Sequence, residues 1–445
     1  MTDVDPADVA LPPAGRPVAL VRGTFTNVVG KLTAVNVVVM VCSLLAGAIT
    51  ARALGADGRG QLAAIVAVLT ISPWLLDLGL TQWLGRERAR GRDREELLGA
   101  ALPVAFGVSL ISVACALPVS QAIGTGKPVV VTFLEIGFFL MPLSVILFML
   151  GGLVVGESRW NLYATIRLVS NGLPVVILVV LAAAESLTVA SAAAGYLVSG
   201  LLGSLLVLRT VRRVRRLTFS LRRSATALRF GAQCWLSQVA GAANSRLDQV
   251  LMAALVPSRE LGLYAVAVSI SSVAYGLTLA VSAALFPRIA EGDPDLAARA
   301  CRVTALIVAI AALVLAAITP TMVPFVFGGE FRAAVPMVLI LLVASIPLAA
   351  TVVLSSALVA VNKPGVTMQA ELAALAVTIP ALILFLPGFG GRAAAVVSVV
   401  GYNVRAALQL ASARRAFARP AKSFLLPERE DMSWLLRQAR RIGAR

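Results

Sequence analysis

Residues 51–69 read ARALGADGRGQLAAIVAVL, and residues 252–270 read MAALVPSRELGLYAVAVSI. Each is the end of an apolar run, a short polar turn with glycine, and the start of a second apolar run. Offset by one place, Gly60 matches Gly262 and Ala63 matches Ala265; in the same frame Arg86 matches Arg288, just beyond the second run. The chain is therefore read as two copies of one unit. Outward from these turns we read about twelve apolar runs, each long enough to cross a bilayer as a helix. They cover 24–51, 60–84, 97–119, 129–153, 161–184, 187–208, 230–256, 261–286, 302–326, 333–361, 366–387 and 392–413. Lipid cannot satisfy free backbone N–H and C=O groups, and the period-2 alternation of a barrel is absent, so the spans are predicted helices.

Charge orients the chain. With the N-terminus inside, the inner connections, flanks and tails hold about 32 of the 39 Lys and Arg residues. Cationic loops resist translocation, so both termini are predicted cytoplasmic in a multi-pass protein of a bacterial-type plasma membrane. Residues 1–22 form an N-terminal tail without the continuous apolar core of a cleavable leader. Residues 23–208 form a first lobe of six spans and 230–413 a second. The linker 209–229 between them carries Arg209, Arg212, Arg213, Arg215, Arg216, Arg222, Arg223 and Arg229. Six spans per unit give both copies one orientation, with a pseudo-two-fold along the membrane normal and a substrate site between the lobes. The basic tail 414–445 contains Met432, Trp434, Leu435, Leu436 and Ile442 among arginines, a short helix on the inner leaflet or a frayed end.

Composition limits the function. The chain is 59% hydrophobic and 14% charged, with net charge +17 and mean hydropathy +0.90. Its basic residues are loop clusters beside spans, which suits anionic inner-leaflet lipids rather than nucleic acid. Histidine is absent, which removes the commonest metal ligand and proton shuttle. Cys42, Cys115, Cys234 and Cys301 show no paired spacing and are read as small buried hydrophobes. The GTGKP turn at 124–128 lacks the upstream glycine and the hydroxyl residue of a phosphate loop. No catalytic motif, cofactor or metal site is expected, and no long outer loop would house a glycosyltransferase site. Pro73, Pro103, Pro142, Pro174, Pro347 and Pro380 lie inside spans, where each frees a carbonyl and permits a bend.

The informative chemistry is charge within the membrane, which is costly unless it faces a cavity or a partner. Lys31, Arg167 and Arg405 lie near inner ends, within reach of headgroups by snorkelling. Arg246 and Asp248 sit deep in span seven, in ANSRLDQVL with Asn244. From an entry near residue 230, Arg246 lies about 24 Å inside. Residues two apart do not face each other on a helix, so each needs its own partner or water. One reading is a cavity role; the other is an ion pair to another helix, such as Asp248 with Arg52. Lys31 and Asn36 share one side of helix one, with Asn36 in the repeat frame of Gln238; Arg52 and Arg59 flank its outer end. The expected cavity residues are Lys31, Asn36, Arg52, Asn244, Arg246 and Asp248, and a cavity carrying Lys31, Arg52 and Arg246 would attract a phosphate or diphosphate, because guanidinium offers forked donors. Asp77, Glu135 and Glu371 are candidates for Na+ or H+ coupling, each with a helix-to-helix hydrogen bond as the alternative.

Three stretches carry a family resemblance: TARALGADGRGQL after span one, DLGLTQWLGRERARG after span two, and RFGAQCWLSQVAGAANSRLDQVLMAALVPSRELGLYAVAVSISS across spans seven and eight. They resemble the lipid-linked oligosaccharide flippases of the multidrug/oligosaccharidyl-lipid/polysaccharide exporter superfamily, over about residues 22–413. The resemblance implies two six-helix lobes in a MATE-like V, opening alternately inward and outward. It implies transfer of a polyprenyl-diphosphate-linked sugar unit to the outer leaflet, with cationic cavity residues holding the diphosphate. By the same resemblance Arg246 and Asp248 match a polar patch on helix seven, and Arg52 a recurrent arginine after helix one. Polysaccharide-assembly proteins are the implied partners. Relatives acting on peptidoglycan precursor usually have two further spans, which this chain lacks. The competing readings are a cation-coupled drug exporter of the same superfamily and a non-transporting scaffold for polysaccharide assembly.

Overall fold

The computed structural model describes residues 18–431, apart from 213, 215, 216, 290–293, 362, 426, 427, 429 and 430. The tail helix expected around 432–442, linker residues Arg213, Arg215 and Arg216, and most of the 1–22 tail lie outside the described residues, as does the side chain of Arg288. The fold is all-α among the described residues: α1 (Val18–Leu76), α2 (Leu80–Ala89), α3 (Arg94–Ala114), α4 (Ala116–Gly124), α5 (Pro128–Phe139), α6 (Met141–Gly156), α7 (Trp160–Ala183), α8 (Val189–Leu205), α9 (Leu221–Leu255), α10 (Ser258–Ile289), α11 (Pro294–Phe327), α12 (Val335–Ala360), α13 (Pro364–Ala416) and a short α14 (Lys422–Leu425).

Two of these helices are too long for one crossing, and each doubles back at a glycine. In α1 the break is Gly55, at φ 68°. A Cβ built on Gly47 would lie 3.8 Å from Nη2 of Arg59, whereas twelve residues of straight helix span about 18 Å. In α13 the break is Gly390, at φ 55°, and Gly401 packs onto Thr378. Both breaks need the left-handed backbone that glycine adopts without a steric penalty. Seven described helices, or eight counting α5 with α6 as one span bent by 56°, are long and apolar enough to cross a membrane. That bend falls where Pro142 opens α6. Large apolar residues such as Leu313, Phe325, Leu384 and Phe389 point outward along the helices, as required of a surface solvated by lipid chains. The chain is a multi-pass membrane protein. Of the four cysteines, Cys301 is buried, Cys42 and Cys234 are half-buried, and Cys115 is exposed; all are free. The expectation of burial fails for Cys115, because an apolar thiol is as well placed against lipid as in a core.

Helices α1–α8 and α9–α13 meet at two levels. The helix ends that carry the arginine-rich connections are termed the basic end and the opposite ends the far end. At the far end Gly60 and Gly262 lie back to back. A Cβ on Gly60 would fall 1.7 Å from the Ser258 carbonyl oxygen, and one on Gly262 would fall 1.9 Å from that of Ala56. The contact is reciprocal between residues matched in the sequence repeat, as a pseudo-two-fold axis between them requires. Towards the basic end, Gly79 and Gly231 make the second close approach, 2.2 Å from a Cβ on Gly79 to the Gly231 oxygen. Around it Trp235 donates to the Leu75 carbonyl at 2.9 Å, Gln82 bonds Gln238, and the Arg86 guanidinium stacks 4.3 Å above the Phe230 ring.

The C-terminal segment to Asp431 folds back on the basic end of the second lobe. Phe424 is fully buried in an apolar cluster with Cys301, Leu354, Leu358 and Ala413. Arg302, itself buried, is held by Asp431 at 2.7 Å and Glu428 at 3.2 Å. The first lobe has its own ionic knot there: Arg88, Arg94 and Arg159 converge on Glu157 at 2.9, 2.5 and 2.9 Å.

Candidate functional site: a cationic cavity between the lobes

Between the two levels of contact lies a cavity of about 770 Å³. Its walls come from both arms of α1, from α5–α8, and from α9 and α10 of the other lobe. Three guanidinium groups line it: Arg59, Arg167 and Arg246. No Asp or Glu is among the lining residues, and no carboxylate of the described residues pairs with any of the three. Nε of Arg59 is buried with no hydrogen-bond partner among the described residues. Arg246 reaches Gln249 at 3.4 Å, a long contact that leaves most of its donors free. Arg59, Tyr196 and Arg246 lie within Coulombic reach of one another, which concentrates positive charge towards the far end. Buried cations are costly unless matched, and the free guanidinium donors could hold an anion with several acceptor oxygens.

The helical register separates Arg246 from Asp248. Arg246 faces the cavity, while Asp248 points into the second lobe. There its carboxylate accepts from the Tyr264 hydroxyl and, at 2.7 Å, from the Gln249 N–H; Ser398 lies 3.3 Å from the Tyr264 oxygen. Asn244 also turns inward, its amide donating to the Glu371 carboxylate at 2.6 Å. Arg405 completes the group, 2.8 Å from the other Glu371 oxygen. Of the polar patch in span seven, only Arg246 and Gln249 line the cavity.

Other expected site residues are elsewhere. Arg52 does not line the cavity and does not meet Asp248: its guanidinium donates to the backbone carbonyls of Val326, at 2.8 Å, and Phe325. Those are orphan carbonyls at the end of α11, a favourable seat for a cation, and Arg52 reaches them because it sits beside the Gly55 break. Lys31 lies outside the cavity, its ammonium donating to the Asn161 side chain at the basic end. Asn36 is half-buried on α1, nearer the basic end than Cys42 and Ser43, which do line the cavity. Arg405 does not snorkel, because Glu371 holds it inside the lobe; Arg167 turns into the cavity rather than towards headgroups. Asp77 is buried at the α1–α2 break, accepting from the Thr81 hydroxyl at 2.7 Å, and Glu135 accepts from Ser120 at 3.4 Å. The sequence reading placed Arg59 beside the outer turn without assigning it to the cavity. The signal available was its position one residue before Gly60, the helix-contact glycine, which carries it to the lobe interface.

The arrangement defines a two-lobed helical membrane protein with a positively lined chamber. Comparison with known proteins agrees. The chain belongs to the polysaccharide biosynthesis protein family, whose model matches residues 26–292. Among solved structures it is similar to "Lipid II flippase MurJ, inward closed conformation" (TM-score 0.74, 14% identity, 88% of this chain and 89% of that one). It is similar to an inward-facing multidrug resistance MATE transporter of the MOP superfamily (0.67, 14%, 87% and 98%). A third is a MOP-superfamily transporter from Pyrococcus furiosus, described by the "reverse polarity" of its binding pocket (0.59, 15%, 91% and 99%). A search of curated protein sequences gave no significant match. The fold is that of the MATE and MurJ proteins, and these neighbours are transporters rather than catalytic enzymes.

Proposed function

We propose that the protein is an alternating-access flippase that carries a polyprenyl-diphosphate-linked oligosaccharide across a bacterial plasma membrane. The observation that carries this reading is the cavity wall with Arg59, Arg167 and Arg246 and no carboxylate. Two adjacent phosphates present acceptor oxygens that match forked guanidinium donors. A cationic drug would meet repulsion in the same space. Membership of a polysaccharide biosynthesis family supports a glycan precursor as cargo, and the two glycine contacts offer surfaces on which the lobes would part alternately. Substrate would shift the balance of states by binding them unequally. The basic end would face the cytoplasm and its anionic lipids, with polysaccharide-assembly enzymes as partners; an ion gradient or the membrane potential would drive transfer.

The test is reconstitution into liposomes with a fluorescent polyprenyl-diphosphate oligosaccharide, with its outer-leaflet fraction read by a membrane-impermeant quencher. Wild-type protein should equilibrate the lipid between leaflets and the Arg246→Ala variant should not. Equal rates in wild-type and protein-free liposomes would remove the proposal.

A further inference from the structure

The three arginines account for an anion, but not for the middle of the cavity. There Ser43, Thr70, Ser144, Asn171 and Ser269 line the wall, from five helical segments in α1 (both arms), α6, α7 and α10. Ser43, Thr70, Asn171 and Ser269 lie about 16–23 Å from the far ends of their helical arms, counting 1.5 Å per residue, and Ser144, just past the α5–α6 bend, lies about 24 Å along that bent pair from the start of α5 and lines the same cavity, so the five form one band. Each donates to the carbonyl four residues earlier on its own helix: Ser43 to Val39 at 3.0 Å, Thr70 to Val66 at 2.6 Å, Ser144 to Leu140 at 3.2 Å, Asn171 to Arg167 at 2.8 Å and Ser269 to Ala265 at 2.8 Å. Such back-bonding is ordinary for hydroxyls in helices. Its consequence at this place is specific. A hydroxyl that donates backwards keeps its lone pairs, and Asn171 keeps its carbonyl oxygen. Five helical segments thus present acceptors to one space.

Acceptors without a carboxylate suit a neutral ligand rich in O–H and N–H donors. Arg59 and Arg246 on the far side and Arg167 beside the band disfavour a cation there. Below the band stand Trp74 and Phe148, an edge-to-face pair 4.9 Å apart, both on the cavity wall. Aromatic faces are negative and accept the weakly positive C–H face of a pyranose ring.

We infer that this band is a sugar-binding subsite. It accepts the hydroxyl groups of a glycan whose diphosphate lies at Arg59 and Arg246, with the Trp74–Phe148 pair as its floor. This assignment rests on the flippase reading and adds the orientation of the cargo: anion towards the far end, sugar towards the basic end. Recognition by back-bonded acceptors counts hydroxyls rather than reading one sugar's stereochemistry, so any pyranose contributes.

The experiment measures binding of two water-soluble probes to the purified full-length protein in detergent: citronellyl diphosphate, and the same molecule carrying a disaccharide of N-acetylglucosamine. The wild type should bind the glycosylated probe at least about tenfold more tightly, the effect of a few net hydrogen bonds. The variant T70V/S144A should lose most of that gain and keep its affinity for citronellyl diphosphate, which also shows that it is folded. Trp74→Ala should lose a smaller part. Equal affinity of the wild type for both probes, or an undiminished gain in T70V/S144A, overturns the subsite while leaving the anion site standing. No binding of citronellyl diphosphate by the wild type overturns the flippase reading and the subsite together.

Discussion

The two lobes handle buried charge in opposite ways. In the first lobe Arg59 and Arg167 face open space, and Arg246 reaches it from across the interface. In the second lobe Asn244, Glu371 and Arg405 close on one another, and Asp248 is satisfied by Tyr264 and a backbone amide. The space beside them, lined by Asn244, Asp248, Thr378 and Ser398, is only about 20 Å³. The two related units therefore differ: the first keeps unmatched cations around a chamber, and the second, Arg246 apart, uses its charges to fasten α9 to α13. A residue's depth in the membrane does not reveal which of these roles it has. Its face does.

The contrast can be broken at several points. The largest effect is expected at Arg59 and Arg246. If the cavity holds the proposed diphosphate, replacing either with Ala removes a charge-assisted contact and should slow lipid transfer by about 10–100-fold. Thermal stability should hold or rise, because a desolvated cation without a carboxylate is lost. Glu371→Ala should do the reverse. It leaves Arg405 buried and unmatched, at a cost of about 3–5 kcal/mol read as a fall in melting temperature. The double replacement E371L/R405L should recover much of it. If Glu371→Ala is thermally silent, the second lobe's charges are not fasteners.

Gly60→Ala and Gly262→Ala should each cost about 1–3 kcal/mol, as overpacking of a close contact does. Each should also separate the far ends, measured as increased modification of a cysteine placed beside them. A matching phenotype for the two variants would confirm the reciprocal contact.

The smallest effects are at the basic end, where each lobe has a carboxylate held by arginines. For Glu157, burial opposes ionisation, but hydrogen bonds from Arg94 and Arg88 outweigh it and hold the group below its ordinary value. Asp431 behaves alike: burial opposes ionisation and the Arg302 bond overcomes it. A depressed value means that the folded state prefers the charged form. The stabilisation is present above the ordinary carboxylate range and is lost as pH falls through the folded values. Melting temperature should therefore decline on acidification, and the decline should be shallower in Glu157→Gln and in Asp431→Asn.

Much of this was legible along the chain. Apolar runs separated by arginine clusters gave the helices, and Gly60 and Gly262 stood in register before their contact was visible. Arg246 and Asp248 were expected to need separate partners, since residues two apart cannot share a face; Asn244 and Asp248 were nevertheless assigned to the cavity with Arg246, and both turn into the second lobe instead. Lys31 and Arg52 were assigned to the cavity on charge and depth, and neither is there. Arg52 found the carbonyls at the end of α11, 273 and 274 residues away, and no local pattern carries such a separation. Arg59 was passed over because it stands in an ordinary-looking outer turn.

The sequence by itself determined that the chain is a stack of lipid-embedded helices in two related halves. Hydropathy and backbone hydrogen bonding act locally and leave no other solution in hydrocarbon. The tertiary structure alone decided which cations stay unmatched. That depends on what each guanidinium meets across the bundle, and a side chain of several ångströms can swing to a carbonyl, a carboxylate or an open chamber according to how neighbouring helices are rotated.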